Sequence, residues 1–157
     1  MGSDVKVIRA LDVVPRIGTN YPGGLGEPCK TREKRTLGDQ FGLTQFGVNL
    51  TILPPGVWSS LRHWHEREDE LIYIIEGEAT LVDDSGEYTL SAGMSAGFKA
   101  GVENGHHLVN RSTKPVTYIE VGTRALEDNV TYPGIDLRTI KRNGGPWQGQ
   151  HRDGTPY

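Results

Sequence analysis

Four of the five histidines of this sequence lie in two short stretches, and the first stretch has the pattern of a metal site. His63 and His65 are two positions apart, and Glu70 follows after a polar run at 66–69. Side chains two positions apart on a β-strand lie on the same face, about 6–7 Å apart, so both imidazoles can contact one ion. A carboxylate beside two imidazoles is a ligand set that suits a borderline divalent ion. The stretch therefore predicts a site for a single metal ion.

The second stretch contains His106 and His107, which precede a short apolar segment and Asn110. Histidines concentrated in two stretches favour a shared site over separate histidines scattered through a core. We expect the two stretches to meet in the folded chain.

Short strands must position these residues. Alternation of apolar with small or polar residues over 46–52 predicts a half-buried strand that ends at the Pro-Pro-Gly turn at 54–56. The polar run at 66–69 predicts a turn, after which Glu70 and the apolar segment 71–75 return opposite the histidines. Further strands are predicted at 79–82, 88–90, 93–101, 106–110 and 116–121. Roughly six to eight short antiparallel strands favour a sandwich or jelly-roll barrel.

Both stretches resemble the sequence motifs of the cupin superfamily. The first motif is matched by Gly56, His63, His65, Glu70 and Gly77, with one more residue than usual after the first glycine. The second motif is matched by Gly93, Gly101, His106 and Asn110. Lys99 stands where the second motif has proline, and the gap between Gly101 and His106 is two residues longer. The resemblance covers roughly residues 40–122.

The resemblance implies an all-β fold, a cupin jelly-roll β-barrel of two antiparallel sheets with extended N- and C-terminal arms. It also implies one divalent metal ion, Mn, Fe, Ni or Zn, with four protein ligands: His63, His65, Glu70 and His106. His106 is preferred to His107 because asparagine follows it by four positions. His107 and Asn110 are expected beside the ligands, and His107 is the replacement ligand if the longer gap shifts the register.

Alternation from the histidines predicts the wall of the pocket. The residues expected on the ligand-bearing face are mostly apolar: Ser59, Leu61, Ile72, Ile74 and Leu108, and, if the preceding strand faces the same way, Phe46, Val48, Leu50 and Ile52. A general acid or base is not identified on this wall. The candidates whose facing is undetermined are Tyr73, Lys99, Glu103, Tyr118, Glu120 and residues of the C-terminal tail.

The resemblance implies the fold and the site without selecting one reaction. We expect a divalent-metal-dependent enzyme acting on a small polar or carbohydrate-like metabolite, of the sugar-phosphate isomerase, epimerase or lyase type. A metal-dependent dioxygenase is one alternative, and a non-catalytic cupin that binds or senses a small ligand or sugar is the other.

The 157 residues suit one domain, with a core barrel at about 40–122, an N-terminal arm and loop at 1–39, and a C-terminal tail at 123–157. The segment 5–14 is interpreted either as an edge strand or as a loosely attached arm. The tail has the composition of turns and extended chain, and we expect it to wrap over the barrel because Tyr132, Ile135, Leu137 and Trp147 would otherwise be exposed together.

Composition limits the partners. A net charge of −3 with mixed signs gives no basic face for nucleic acid. One cysteine excludes an internal disulfide, and neither a leader nor a membrane-spanning apolar run is found, so a cytoplasmic protein without a membrane partner is expected. A small-molecule ligand or substrate is the predicted partner, together with a second copy of the chain. A homodimer would cover the outward Leu71, Tyr73 and Ile75.

Overall fold

The computed structural model of this protein describes residues 6–157. Thirteen strands form in that range: β1 (Arg16–Ile17), β2 (Glu33–Thr36), β3 (Phe46–Leu53), β4 (Trp64–His65), β5 (Glu70–Glu76), β6 (Glu78–Asp83), β7 (Gly86–Ser91), β8 (Ser95–Phe98), β9 (His107–Val109), β10 (Val116–Thr123), β11 (Asp128–Thr131), β12 (Arg138–Lys141) and β13 (Gln148–Gln150). The helical segments are α1 (Leu37–Gln40) and the 3-10 turns Ala10–Asp12 and Glu27–Cys29.

The strands form two antiparallel layers. One layer is a six-stranded sheet in the order β1-β2-β3-β10-β5-β8. The other contains the sheets β13-β12-β11-β4 and β7-β6-β9, which meet where the chain before β4 pairs with β9 through bridges at Trp58–Val109 and His63–His106. The predicted all-β fold of two antiparallel sheets is confirmed, although within residues 6–157 the sheets do not close into a continuous barrel.

The main apolar core fills the space between the layers at one end. Leu53, Ile74, Val116 and Tyr118 are almost completely buried there. The predicted alternation of β3 is present, but its direction is the reverse of the one expected. β3 pairs with β10 and β10 pairs with β5 in a register that places Asn49 and Thr51 on the same face as Ile72 and Ile74.

The apolar set at positions 46, 48, 50 and 52 therefore lies on the outer face of the six-stranded sheet, and the prediction that it faces the pocket is wrong. Alternation separates the two faces of a strand without identifying the inner one. Here the inner face of β3 borders a cavity, and Gly47 and Asn49 on that face line it.

The C-terminal tail forms three strands instead of the turns and extended chain indicated by its composition. β11 pairs with β4 at Val130–His65, and β12 and β13 continue that sheet. Tyr132 and Leu137 are buried in a second apolar cluster with Leu61 and Val130. The tail is thus attached directly to the strand that carries a predicted metal ligand.

The N-terminal segment differs from its edge-strand interpretation. Residues 6–14 contain a 3-10 turn at Ala10–Asp12 and no strand, and residue 5 lies outside the described residues. No helix within residues 6–157 is long and apolar enough to cross a membrane.

Candidate metal centre

The four residues predicted as metal ligands come together between the two layers. His65 lies in β4, Glu70 begins β5, and His63 and His106 immediately precede β4 and β9. The backbones of His63 and His106 exchange two hydrogen bonds, with N to O distances of 3.2 and 2.9 Å. This pairing brings two residues separated by 43 positions in sequence to a ring-centroid distance of 5.0 Å.

The Glu70 carboxylate is the centre of the group. Its Oε2 lies 2.8 Å from Nε2 of His106 and 3.6 Å from Nε2 of His63, and its Oε1 lies 3.6 Å from Nε2 of His65. Two ligands that bind one ion at about 2.0–2.2 Å are themselves separated by about 3 Å or slightly more. The donors of His63, Glu70 and His106 therefore have the spacing that one divalent ion requires, and His65 meets this group through the other oxygen of Glu70.

Each imidazole also directs the correct nitrogen toward the centre. The Nδ1 atom of every one of the three histidines faces an acceptor, so Nδ1 would keep its proton when Nε2 gives its lone pair to an ion. The acceptors are Leu61 O at 2.9 Å from His63, Asp128 Oδ2 at 2.6 Å from His65, and Asn104 O at 3.2 Å from His106. The residues present thus fit a bound metal ion in donor type, spacing and tautomer.

Electrostatics favours the ligand forms of Glu70 and His63. Burial by itself would raise the pKa of the Glu70 carboxyl, but hydrogen bonds from His106 and His63 hold that pKa well below its usual range. Burial lowers the pKa of His63. An ionised carboxylate and a neutral imidazole are the forms that coordinate metal.

Asp128, at the start of β11, supports the site and was not identified from the sequence. It is fully buried, and its second oxygen accepts a hydrogen bond of 2.8 Å from the Arg67 backbone N. Burial by itself would lower the pKa of His65, but the hydrogen bond to Asp128 and the nearby carboxylates raise it above its ordinary value. Nothing in the spacing of the tail indicates this role, because the contact spans 63 positions.

Glu68 lies near the same imidazole, with its Oε2 at 3.8 Å from Nδ1 of His65, and forms a buried ion pair with Lys141 of β12. Lys141 also lies over the ring of Trp147, with Nζ at 4.7 Å from the ring centroid. The tail therefore supplies charged and aromatic groups to one side of the site.

The two residues expected beside the ligands have different surroundings. His107 directs Nδ1 to Ser60 O at 2.9 Å, and its ring contacts Trp58 at a centroid distance of 4.7 Å. Asn110 is fully buried, and its Nδ2 donates to the backbone carbonyls of Leu53 and Lys114, both at 2.8 Å. Asn110 thus holds the turn before β10, at a distance from the ligand atoms.

A cavity of about 1100 Å³ opens onto the four ligands. Of the predicted wall residues, Ser59, Ile72 and Leu108 line it. Leu61 belongs to the second apolar cluster, because residues 59–62 form bends in which strand alternation does not apply. Ile74 faces the same side as Ile72 but lies inside the main core.

The structure shows which of the candidate acids and bases reach the cavity. Tyr118 and Glu120 of β10 line the cavity. Tyr73 lies on the outer face, and Lys99 and Glu103 are exposed on the surface. Glu120 forms an ion pair with Lys34 and accepts a hydrogen bond of 3.0 Å from Asn49 Nδ2.

Aromatic rings enclose the ligand imidazoles. Phe98 stacks on His106 with ring centroids 3.5 Å apart, and Tyr132 lies 5.9 Å from His63. Trp147 meets His65 edge-on at 6.0 Å. These contacts restrict the rotation of the imidazoles, which keeps the Nε2 atoms directed at a common point.

Comparison with known proteins supports the assignment of the fold. The sequence profile of the Cupin domain family matches residues 49–122. A sugar phosphate isomerase from a cupin superfamily, from Silicibacter pomeroyi, is 40% identical to this chain, with a TM-score of 0.90 over 97% of this chain and 96% of that one. No curated protein sequence matches significantly.

Two further solved structures are similar. A protein from Acidithiobacillus ferrooxidans, provisionally named a sugar phosphate isomerase, is 26% identical with a TM-score of 0.75 over 88% of this chain and 90% of that one. The polyketide cyclase of Streptomyces resistomycificus, 24% identical with a TM-score of 0.63 over 76% of this chain and 79% of that one, shares the fold. With the Cupin domain profile matched and 40% identity to a cupin-superfamily protein along nearly its whole length, this chain belongs to the cupin superfamily.

Proposed function

We propose that this cupin is a metal-dependent isomerase that acts on a small sugar phosphate. The observation that carries the proposal is the set of three Nε2 atoms and one carboxylate at the edge of a large cavity. The similarity to a sugar phosphate isomerase over almost the entire chain supports the choice of substrate class.

His63, His65, Glu70 and His106 would hold the ion. Nitrogen and carboxylate ligands without thiolate accept Mn, Fe, Ni or Zn. When bound, a divalent ion supplies Lewis-acid polarisation of a carbonyl or hydroxyl oxygen. Four protein ligands leave positions for a substrate oxygen on an ion that takes five or six ligands.

Glu120 is the residue that we assign as the general base. Its backbone pairs with Ile72, and that of Gly122 pairs with Glu70, so Glu120 and Glu70 are diagonal neighbours on adjacent strands. Such neighbours are separated by about 7–8 Å, which leaves room for a substrate between the two carboxylates. Glu120 also lines the cavity, whereas Tyr73 lies on the outer face.

In an aldose–ketose isomerisation, Glu120 removes the proton from the carbon next to the carbonyl group, and the electron pair of that bond forms an enediolate. Glu120 then returns the proton to the former carbonyl carbon, while the hydroxyl proton moves to the other oxygen. Two hydrogens change position within one molecule, so no oxidant or reductant is consumed. Lys34, paired with Glu120, keeps the carboxylate oriented toward the cavity.

The test is an assay of proton exchange. Protein purified without a metal-chelating tag is first analysed for metal and then incubated in D2O with a panel of aldose and ketose phosphates. We expect deuterium at the carbon next to the carbonyl group and formation of the isomer, both lost in Glu70→Ala and reduced by at least about a hundredfold in Glu120→Gln.

Glu87→Gln is the matched control, because Glu87 is an exposed carboxylate paired with Arg111 on the surface. Exchange that persists unchanged in Glu120→Gln would contradict the assignment of the base. Binding of sugar phosphates without exchange or product would replace the isomerase with a ligand-binding protein, and oxygen consumption by an iron-containing form would replace it with a dioxygenase.

A further inference from the structure

Within the described residues 6–157, Arg32 is a buried cation without a counter-ion. Only 4% of its surface is exposed, and its Nη1 and Nη2 donate to the backbone carbonyls of Ser59 and Gly18. Its Nε has no hydrogen-bond partner. Among residues 6–157, no carboxylate lies within ion-pair distance of this guanidinium. Because buried charges are normally paired, an arginine in this state indicates that a ligand supplies the negative charge.

Two hydroxyl groups beside Arg32 are also buried without partners. Thr19 directly follows Gly18, whose carbonyl holds the guanidinium, and its Oγ1 has no hydrogen bond. The hydroxyl of Tyr118, 1% exposed, has no hydrogen bond of good geometry, although Thr51 lies opposite it on β3. Arg32, Thr19 and Tyr118 all line the cavity that contains the metal ligands. Among residues 6–157, five buried side-chain polar atoms lack a hydrogen-bond partner, and three of them belong to residues on this cavity wall, which favours a binding site there.

The chemistry of this wall suits a phosphate group. A guanidinium donates to an oxyanion in a planar fork, and hydroxyl groups complete the shell of donors around the remaining oxygens. Lys34, in β2 two positions after Arg32, adds a second positive charge, and within residues 6–157 its ion pair is with Glu120. Arg32, Lys34 and Glu120 together therefore leave one uncompensated positive charge on this wall.

The position of Arg32 relative to the metal ligands suits a sugar phosphate. Arg32 donates a hydrogen bond to the backbone carbonyl of Ser59. The next residue, Ser60, has its Oγ 3.3 Å from Nδ1 of His63, so Arg32 and His63 are connected through two neighbouring serines. On the cavity wall, Tyr132 lies 5.9 Å from His63, and Tyr21 lies 5.6 Å from Tyr132. Tyr132 and Tyr21 thus continue the cavity wall away from His63, and Arg32 lines the same cavity, whose volume of about 1100 Å³ has room for a small sugar phosphate.

We propose that Arg32, with Thr19 and Tyr118, binds the phosphate group of the substrate. This proposal rests on the proposed isomerase function for the identity of the rest of the substrate, but the subsite itself is a phosphate site. It places the phosphate at Arg32 and the carbonyl end of the same molecule at Glu70. Substrates lacking the phosphate would then lose orientation as well as affinity.

The test measures binding of inorganic phosphate to metal-free protein by calorimetry, so that phosphate cannot bind to the ion and activity is not needed. Tyr118→Phe and Thr19→Val remove one hydroxyl each while keeping the side-chain shape. We expect each to weaken phosphate binding roughly tenfold, and Arg32→Gln to weaken it further, because hydrogen bonds to a charged group are stronger than neutral ones. Arg111→Gln, on the exposed surface, is the matched control and should bind phosphate as the unchanged protein does.

If Arg32→Gln fails to fold, the two hydroxyl variants decide the question. Unchanged phosphate binding in folded Tyr118→Phe and Thr19→Val, or no phosphate binding by the unchanged protein, would overturn the proposal and leave Arg32 as a residue that only ties Gly18 to Ser59. Loss of isomerase activity with normal phosphate binding would instead count against the proposed reaction and leave the phosphate site standing.

Discussion

At the residue scale, the orientation of the three imidazoles depends on acceptors that lie far away in sequence. His65 is the clearest case, because its Nδ1 is held by Asp128 of β11 while its Nε2 faces Glu70. A carboxylate behind a ligand imidazole fixes the tautomer and increases the basicity of the coordinating nitrogen. Asp128 is therefore a positioning residue for the metal.

Asp128→Asn tests this role. We expect metal affinity to fall by roughly 10–100-fold, because the substitution removes the charge behind His65 while retaining an oxygen for the Arg67 backbone N. The affinity is measured by competition with a coloured chelator. Asp153→Asn, at an exposed position of the tail, is the control. Equal metal affinity in Asp128→Asn and the unchanged protein would show that Asp128 has only a structural role.

The residue scale also shows what motif spacing can establish. The residues predicted as ligands come together around Glu70, with donors of His63, Glu70 and His106 close enough for one ion and His65 in contact with the other Glu70 oxygen. Asp128 was not found, because it contributes through one long-range contact that leaves no period or spacing in the sequence. Arg32 lies in the basic run 30–35, whose composition favours a solvated surface with contact to an anionic ligand as the alternative, and the structure buries it.

At the element scale, the tail is the part that the sequence described least well. β11 to β13 extend the sheet that begins with β4. Leu137, just before β12, is fully buried in the second apolar cluster. Leu137 packs in the same cluster as Val130 of β11. Its burial therefore helps to hold β11 against β4, which keeps Asp128 beside His65.

Leu137→Ala should destabilise the metal-free protein by about 2–5 kcal/mol, because it removes buried methyl groups and leaves a cavity. The free energy of unfolding is measured in urea without metal, since a ligand bound to the folded state would mask part of the loss. Leu126→Ala provides the matched control, because Leu126 is 72% exposed, and its expected effect lies within about 0.5 kcal/mol. Similar values for the two variants would mean that the tail contributes little to the stability of the core.

β3 shows why a correct element can be assigned the wrong face. Its alternation was recognised, but the apolar set lies outside and the polar set lines the cavity. The usual rule places apolar residues inside because most interiors are dry. A cavity between the layers reverses the rule here, because Gly47 and Asn49 on the inner face of β3 border open space instead of a dry core.

At the scale of the whole molecule, the outer face of the six-stranded sheet exposes a row of apolar side chains that the candidate site does not explain. Leu71, Tyr73 and Ile75 are each 46% exposed on β5. The N-terminal segment exposes further apolar side chains, with Val7 at 84% and Val14 at 87%. These exposed apolar surfaces suit pairing with a second copy of the chain, because a dimer would cover both the sheet face and the N-terminal segment.

We propose that the protein is a homodimer that buries this face. Tyr73→Lys places a charge in the centre of the expected contact and should shift the mass measured by light scattering toward the monomer. Tyr88→Lys is the matched control, because Tyr88 is also 46% exposed but lies on β7 in the other layer. A monomeric unchanged protein, or a dimer insensitive to Tyr73→Lys, would contradict the proposed interface.

The sequence by itself determined the all-β class, most of the strands between 46 and 123, and the choice of residues 63, 65, 70 and 106 as candidates for the metal centre. These features depend on local patterns, namely strand alternation, turn composition and motif spacing. Each such pattern can be recognised from a few neighbouring residues. The tertiary structure alone decided which face of β3 lines the cavity, that the tail joins the sheet of β4, and that Arg32 and Asp128 reach the site. Each of these depends on which distant strands pair and on which side a polar cavity forms, and that information is distributed over contacts between segments far apart in the chain.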